Sequence, residues 1–335
     1  MVDYTPKEVM ALMNLVDTYK RWSNFKTQGD RSYEYYHPSE LGKCLRSQQY
    51  KHFVYKGYIK VAHKEFESQT LRLFDKGHSM HNRWSNYFAD MGVLRGQWFC
   101  KNKACYMFDD MGQLKNMSPD EMQIIIAANK TRLYGTDNKM GIFCPEKCKC
   151  GCNDFDYKEN PVFDPEIGIK GSCDLLLDCS RLTEKSFEGV RKTFDLRLLP
   201  VGGKVAVGDM KTIGQSAWDF QLGRKGPHKE YLIQLTIYAH ILDCDYGVLM
   251  YENKNNSEMK WYKVDRNDEW WEIIKWQVKM MRDMASKKQL PPPRPAERDD
   301  YACKGCEFMK LCHSSAEWDS KDLNAKRKWF YKCLL

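Results

Sequence analysis

The apolar positions of this chain change period along its length. From Lys7 to Phe25 they recur three and four residues apart, which predicts an opening helix. "LGKCLRSQQYKHF" (41–53) predicts a second helix, and "TLRLFDKGHSMHNRWSNYFADMG" (70–92) a longer amphipathic one that Gly77 could interrupt. From Cys100 to Cys152 the pattern gives way to cysteine, lysine and turn residues, with one helical piece, "SPDEMQIIIAANK" (118–130). Strand-like runs follow: "GIKGSCDLLLDC" (168–179), "FDLRLLPV" (194–201) and "KVAVGDMKTI" (204–213). A helix, "EYLIQLTIYAHILDC" (230–244), leads to a strand pair, "YGVLMYENK" (246–254) and "MKWYKVD" (259–265), and then to the helix "DEWWEIIKWQVKMMRDMASKKQ" (268–289). Helices, strands, a helix and returning strands imply an α/β (α+β) fold, a mixed central sheet flanked by helices. The texture divides the chain into a helical part at 1–99, an insertion at 100–153, a core at 154–290 and a final segment at 291–335, which the stiff "PPPRP" (291–295) introduces.

Composition changes this picture only modestly. Lys plus Arg number 53 against 45 Asp plus Glu in 335 residues, a net charge of +8 that suits a polyanionic partner and also occurs in many proteins without one. Asp3 stands near the start, where no unbroken apolar core follows, and no later run is long enough for a bilayer. A soluble, cytoplasmic protein with no membrane partner is expected. "VGGKVAV" (201–207) lacks the spacing and hydroxyl of a phosphate-binding loop, so no ATP motor is expected.

The 14 cysteines are bunched, which points to metal rather than disulfides. Cys303, Cys306 and Cys312 lie close together near the end, and Cys44 stands alone in the first helical part. Four thiolates of this kind could hold zinc or an iron–sulfur cluster, and spacing does not choose between them. His313 is a substitute ligand to consider. Six more lie in the insertion: Cys100 and Cys105 form one knuckle, and Cys144, Cys148, Cys150 and Cys152 offer too many candidates for the other. Four of the six predict a zinc ribbon. Cys173, Cys179, Cys244 and Cys333 read as ordinary small residues.

Alternation along a strand puts Asp209 and Lys211 on one face and Met210 on the other. An acid and a lysine at a strand end are most often a solvated charge pair. Asp174, at the start of another apolar run, changes the odds, because carboxylates on adjacent strands can hold Mg²⁺ or Mn²⁺ while the amine acts on the attacking water. His81 could complete such a site as a neutral imidazole, and Gln234 and Tyr238 share a helical face at i and i+4.

In this order, "GHSMH" (Gly77, His81), "GSCD" (Gly171, Asp174), "DMK" (Asp209, Lys211) and "QLTIY" (Gln234, Tyr238) resemble the RecB-like branch of the PD-(D/E)xK nuclease superfamily. The resemblance covers most of the chain outside 100–152, and it departs from the superfamily pattern in having Cys173, not proline, before the acid. It implies a restriction-endonuclease-like core in which His81, Asp174, Asp209 and the Met210 carbonyl bind Mg²⁺ or Mn²⁺ and Lys211 is catalytic. Gln234 and Tyr238 would orient the site or touch DNA. Within that branch, Cys44 (with Arg46 two residues on), Cys303, Cys306 and Cys312 resemble the subgroup that binds a 4Fe-4S cluster, which includes AddB-type helicase-nucleases and the CRISPR adaptation nucleases. The cluster would staple the N-terminal region to the C-terminus.

The expected activity is metal-dependent DNA hydrolysis in DNA processing or recombination, with any helicase supplied by a partner. A site reached through a clamp favours an end-dependent exonuclease on single-stranded DNA, with Trp98, Trp218, Trp270 and Trp271 as candidate stacking residues. The alternatives are an endonuclease of the same fold, a non-catalytic DNA-binding module, and a structural metal-bearing adaptor.

Overall fold

The computed structural model describes residues 7–27, 32–61, 65–127, 131–182, 205–293, 301–315 and 331. The strand expected at 194–201, residues 294–295 of the proline run and Cys333 lie outside them.

Two compact units share the chain. One takes residues Met1–Met80 with Glu272–Leu335, and the other is continuous, His81–Trp271. The boundaries expected at 99, 153 and 290 are not those of this division, which falls inside two helices, Ser68–Asp90 and Asp268–Ser286.

The first unit is helical. It contains α1 (Lys7–Thr27), α2 (Pro38–Leu41), α3 (Leu45–Tyr55) and the first half of α4 (Ser68–Asp90), which runs through Gly77 unbroken. A lone glycine costs a helix interior only about 1 kcal/mol, too little to break one of this length. α1 inverts the usual arrangement. Its Asp17 pairs with Arg72 and its Arg21 with Glu67, while Leu12, Leu15, Val16, Tyr19, Trp22 and Phe25 are exposed.

All the described strands belong to the second unit. In chain order they are β1 (Leu94–Cys100), β2 (Leu133–Tyr134), β3 (Ile142–Phe143), β4 (Phe155–Lys158), β5 (Asn160–Asp164), β6 (Ile169–Cys173), β7 (Leu175–Asp178), β8 (Val205–Ile213), β9 (Tyr246–Asn253) and β10 (Met259–Asp265). The central sheet runs β10-β9-β8-β7-β1-β2, with β3 and β4 also paired to β1, and β5-β6 form a separate hairpin. It is mixed: β8 and β9 are parallel, whereas β7–β8 and β9–β10 are antiparallel. The parallel pair requires a crossover, and α7 (Lys229–Leu242) supplies it. Ile233, Leu235, Ile237 and Ile241 of α7 are buried, at about 1.5–3 kcal/mol each.

Between β1 and β2 lies α5 (Pro119–Ala127), which opens with a capping box: Ser118 N donates to Glu121 Oε2 (2.8 Å) and Glu121 N donates to Ser118 Oγ (3.3 Å). After β8 come α6 (Gln215–Ala217) and a π-helical stretch, Trp218–Lys225. α8 (Asp268–Ser286) returns the chain to the first unit, which ends with α9 (Tyr301–Lys304) and α10 (Met309–Ser315).

Candidate active site and candidate metal centre

Four separate elements deliver the predicted acidic site. β8 places Asp209 and Lys211 on one face, as alternation requires, and Lys211 Nζ donates to Asp209 Oδ1 at 2.8 Å. β7 lies beside β8 with Leu175 opposite Gly208. A Cβ on Gly208 would stand 2.9 Å from that of Leu175, so the glycine permits the close approach. Asp174 occupies the bend between β6 and β7, one residue before this register begins, and accepts from Met210 N at 3.2 Å. His81 Nδ1 of α4 is 3.4 Å from Asp174 Oδ2. Gln234 and Tyr238 do not form a surface pair. Both are buried, and Gln234 Nε2 donates to Asp209 Oδ1 (3.1 Å) and to Tyr238 Oη (2.9 Å).

Asp209 has no solvent exposure, and among the described residues its Oδ2 has no hydrogen-bond partner. Burial first, and the Asp209 charge second, hold the Asp174 carboxyl well above the ordinary carboxylate range, against the pull of Lys211. Burial lowers the Lys211 ammonium, but Asp209 and Asp174 outweigh it and leave the pKa raised, so the side chain is a cation. Its Nζ also lies 4.8 Å from the centre of the Tyr231 ring. His81 is lowered by burial and then by Lys211, against Asp209, Glu159 and a backbone hydrogen bond with Met210. A neutral imidazole keeps a lone pair for coordination.

Sequence pattern did not reveal one member of this cluster. Ligand atoms of His81, Glu159 and Asp174 lie within 4.8 Å of one another, whereas Asp209 stands beside them, tied to Lys211 and Gln234. Glu159 belongs to no motif, and only strand register could have disclosed it.

A second group, Cys100, Cys105, Cys148 and Cys150, also converges within 4.8 Å and could hold a metal ion. Cys100 Sγ lies 3.7 Å from Cys150 Sγ, as does Cys105 Sγ from Cys148 Sγ. The surrounding donors fit thiolates: Tyr134 Oη donates to Cys148 Sγ at 3.2 Å and Asn102 Nδ2 to Cys150 Sγ at 3.5 Å. Burial raises the Cys148 thiol, yet the hydrogen bonds from Tyr134 and Cys150 prevail and bring it down to about 7. Cys144 and Cys152 fall outside the group. Cys144 is exposed, and the Cys152 sulfur instead pairs with the Asp154 backbone.

Cys44, Cys303, Cys306 and Cys312 all belong to the helical unit. Cys44 precedes α3, and Cys303 and Cys306 are joined by a turn, with Cys306 N donating to Cys303 O at 3.0 Å. Burial raises the Cys312 thiol to about 11. Arg46 opposes this, and the neighbouring Cys44 and Cys306 add to it. Arg46 is buried and donates to Pro291 O at 2.8 Å.

The expected stacking residues are partly corrected. Trp98 and Trp218 are buried, Trp98 with its ring centre 5.3 Å from that of Tyr157 and Trp218 under Lys260, and Trp271 stacks on His240 with centres 5.0 Å apart. Trp270 is half-buried. An exposed aromatic in the stretch that follows β8 is Phe220, with Lys225 Nζ 4.9 Å and the Arg224 guanidinium 5.6 Å from its ring.

No family model matches this chain, and no curated protein is detectably similar to it in sequence. A solved structure described as "Crystal structure of SSO0001" is similar at a TM-score of 0.41 and 12% identity, over 91% of this chain and 97% of that one. Likeness at that level does not bear on function. Among the described residues, no helix is long and apolar enough to cross a membrane.

Proposed function

We propose that this protein hydrolyses phosphodiester bonds in DNA with a divalent cation, Mg²⁺ or Mn²⁺, on the PD-(D/E)xK core that its motif order resembles. The observation that carries the reading is Asp209: a fully buried carboxylate with Lys211 and Gln234 on one oxygen and, among the described residues, no partner on the other, next to Asp174 and His81. An unpartnered buried carboxylate oxygen is expensive unless a cation completes it. His81, Asp174, Asp209 and the Met210 carbonyl are the groups that would hold the ion. Bound there, the cation supplies Lewis-acid stabilisation of the charge that builds on the phosphate. Lys211, kept as an ammonium by Asp209, orients the attacking water and counters the same charge. Gln234 fixes the Asp209 carboxylate, and Tyr238 fixes Gln234.

Two structural metals accompany this chemistry. Cys100, Cys105, Cys148 and Cys150 hold zinc in the insertion. A Zn–S bond of about 2.3 Å gives tetrahedral edges of roughly 3.8 Å, in line with the two 3.7 Å sulfur pairs. Cys44, Cys303, Cys306 and Cys312, which share the helical unit, hold the 4Fe-4S cluster that their order in the chain resembles.

The substrate is single-stranded DNA, degraded from an end, with a helicase or recombination protein as partner. Cleavage of linear and circular single strands, with Mg²⁺ or Mn²⁺ and with neither, tests this. Linear DNA should be degraded only with the cation, and Asp209→Ala or Lys211→Ala should lower the rate by roughly 10²–10³ or more while DNA binding persists. Equal cutting of the circle would make the protein an endonuclease. Binding without cleavage under every condition would leave a non-catalytic module.

A further inference from the structure

We infer that Glu159 is a ligand of the catalytic cation, a third carboxylate beside Asp174 and Asp209. The inference rests on the metal-dependent reading above and adds a residue that no motif contains.

Register makes the case. In the β5–β6 hairpin Asn160 pairs with Cys173 and Pro161 with Ser172, so one further step sets Glu159 across from Asp174. Like charges directly opposite each other destabilise an antiparallel pair. The side chains are not splayed apart to relieve this. Their carboxylate oxygens and the His81 ring lie within 4.8 Å of one another. The ammonium nearby, Lys211, is already on Asp209 at 2.8 Å. Among the described residues of this cluster, Lys211 stands against Asp174, Asp209 and Glu159, and a divalent cation restores the balance.

The position of Glu159 is also firmly built. Lys158 before it pairs with Gln97 of β1, and Asn160 after it is fully buried and donates to Lys139 O at 2.7 Å. Tyr157 Oη, two residues back, donates to the Asp174 carbonyl at 2.9 Å. The Ser172 hydroxyl donates to Glu159 Oε2 and fixes its rotamer. Two strands and a hydroxyl thus aim the carboxylate at the site in advance, as a ligand position requires. A merely structural glutamate would need the Ser172 contact alone, which glutamine can also make.

Manganese binding separates the two roles. Zinc-loaded protein titrated with Mn²⁺, with free Mn²⁺ followed by electron paramagnetic resonance, should show Glu159→Gln weakened on the order of tenfold or more. Its melting temperature without Mn²⁺ should not fall, and Glu159→Asp, which keeps the charge, should bind between the two. If the wild type takes up no Mn²⁺, the metal-dependent reading falls and Glu159 with it. If Asp174→Asn abolishes binding and both Glu159 variants leave it unchanged, Glu159 alone is overturned.

Discussion

At the scale of single residues, the site stores electrostatic strain that a cation would release. Asp174 is held well above the usual carboxylate range by burial and by Asp209. A raised carboxyl contributes stability below its unfolded value, about 3.9, and loses it as pH rises through the native value. Cation-free protein should therefore melt at progressively lower temperature as pH rises above about 4. Asp174→Asn should raise the melting temperature near neutral pH and flatten this slope while abolishing cleavage. Added Mg²⁺ should do the same for the wild type and nothing for the variant. Thermal melts in magnesium-free buffer, with Mg²⁺ added back, check both statements. An unchanged slope in the variant would place the pH dependence elsewhere.

Among the elements, β1 and the stretch after β8 make separate predictions. β1 belongs to the central sheet and ends at Cys100, so the thiolate group and the strand that precedes Glu159 share a scaffold through the Cys100–Phe155 pairing. Elemental analysis should find one zinc lost in Cys148→Ser or Cys105→Ser and kept in Cys144→Ser and Cys152→Ser. The first pair should also be markedly less stable, since structural zinc contributes folding free energy outright. The π-helical stretch carries Phe220 with two cations on its ring. Base stacking of about 1–3 kcal/mol predicts that Phe220→Ala weakens single-strand binding by roughly ten- to a hundredfold. Lys225→Ala should reduce the salt dependence of binding by about one counterion. Fluorescence anisotropy at several salt concentrations measures both.

For the molecule as a whole, the helical unit is assembled from both ends of the chain. A cluster on Cys44, Cys303, Cys306 and Cys312 would close that loop covalently. Anaerobically purified protein should be brown, and Cys303→Ser or Cys44→Ser should bleach it and lower its melting temperature. Colourless protein with two zinc ions would assign zinc to both cysteine groups.

The sequence by itself located several helices and strands and singled out the residues whose chemistry is proposed above. Periodicity located β8, α7 and the α4 helix because alternation and helical spacing are local properties of the chain. The same local rule put Asp209 with Lys211, and Gln234 with Tyr238. The cysteine bunching pointed to metal, but which pair completed Cys100 and Cys105 depended on a turn between Cys148 and Cys152 that no spacing specifies. Only the tertiary structure decided that Trp98 and Trp218 are core residues and that the apolar residues of α1 face outward, because burial is set by what packs against a residue, not by its own hydrophobicity. Glu159 belongs wholly to that second category: strand register across a hairpin carries it to Asp174, and register is a property of two strands together.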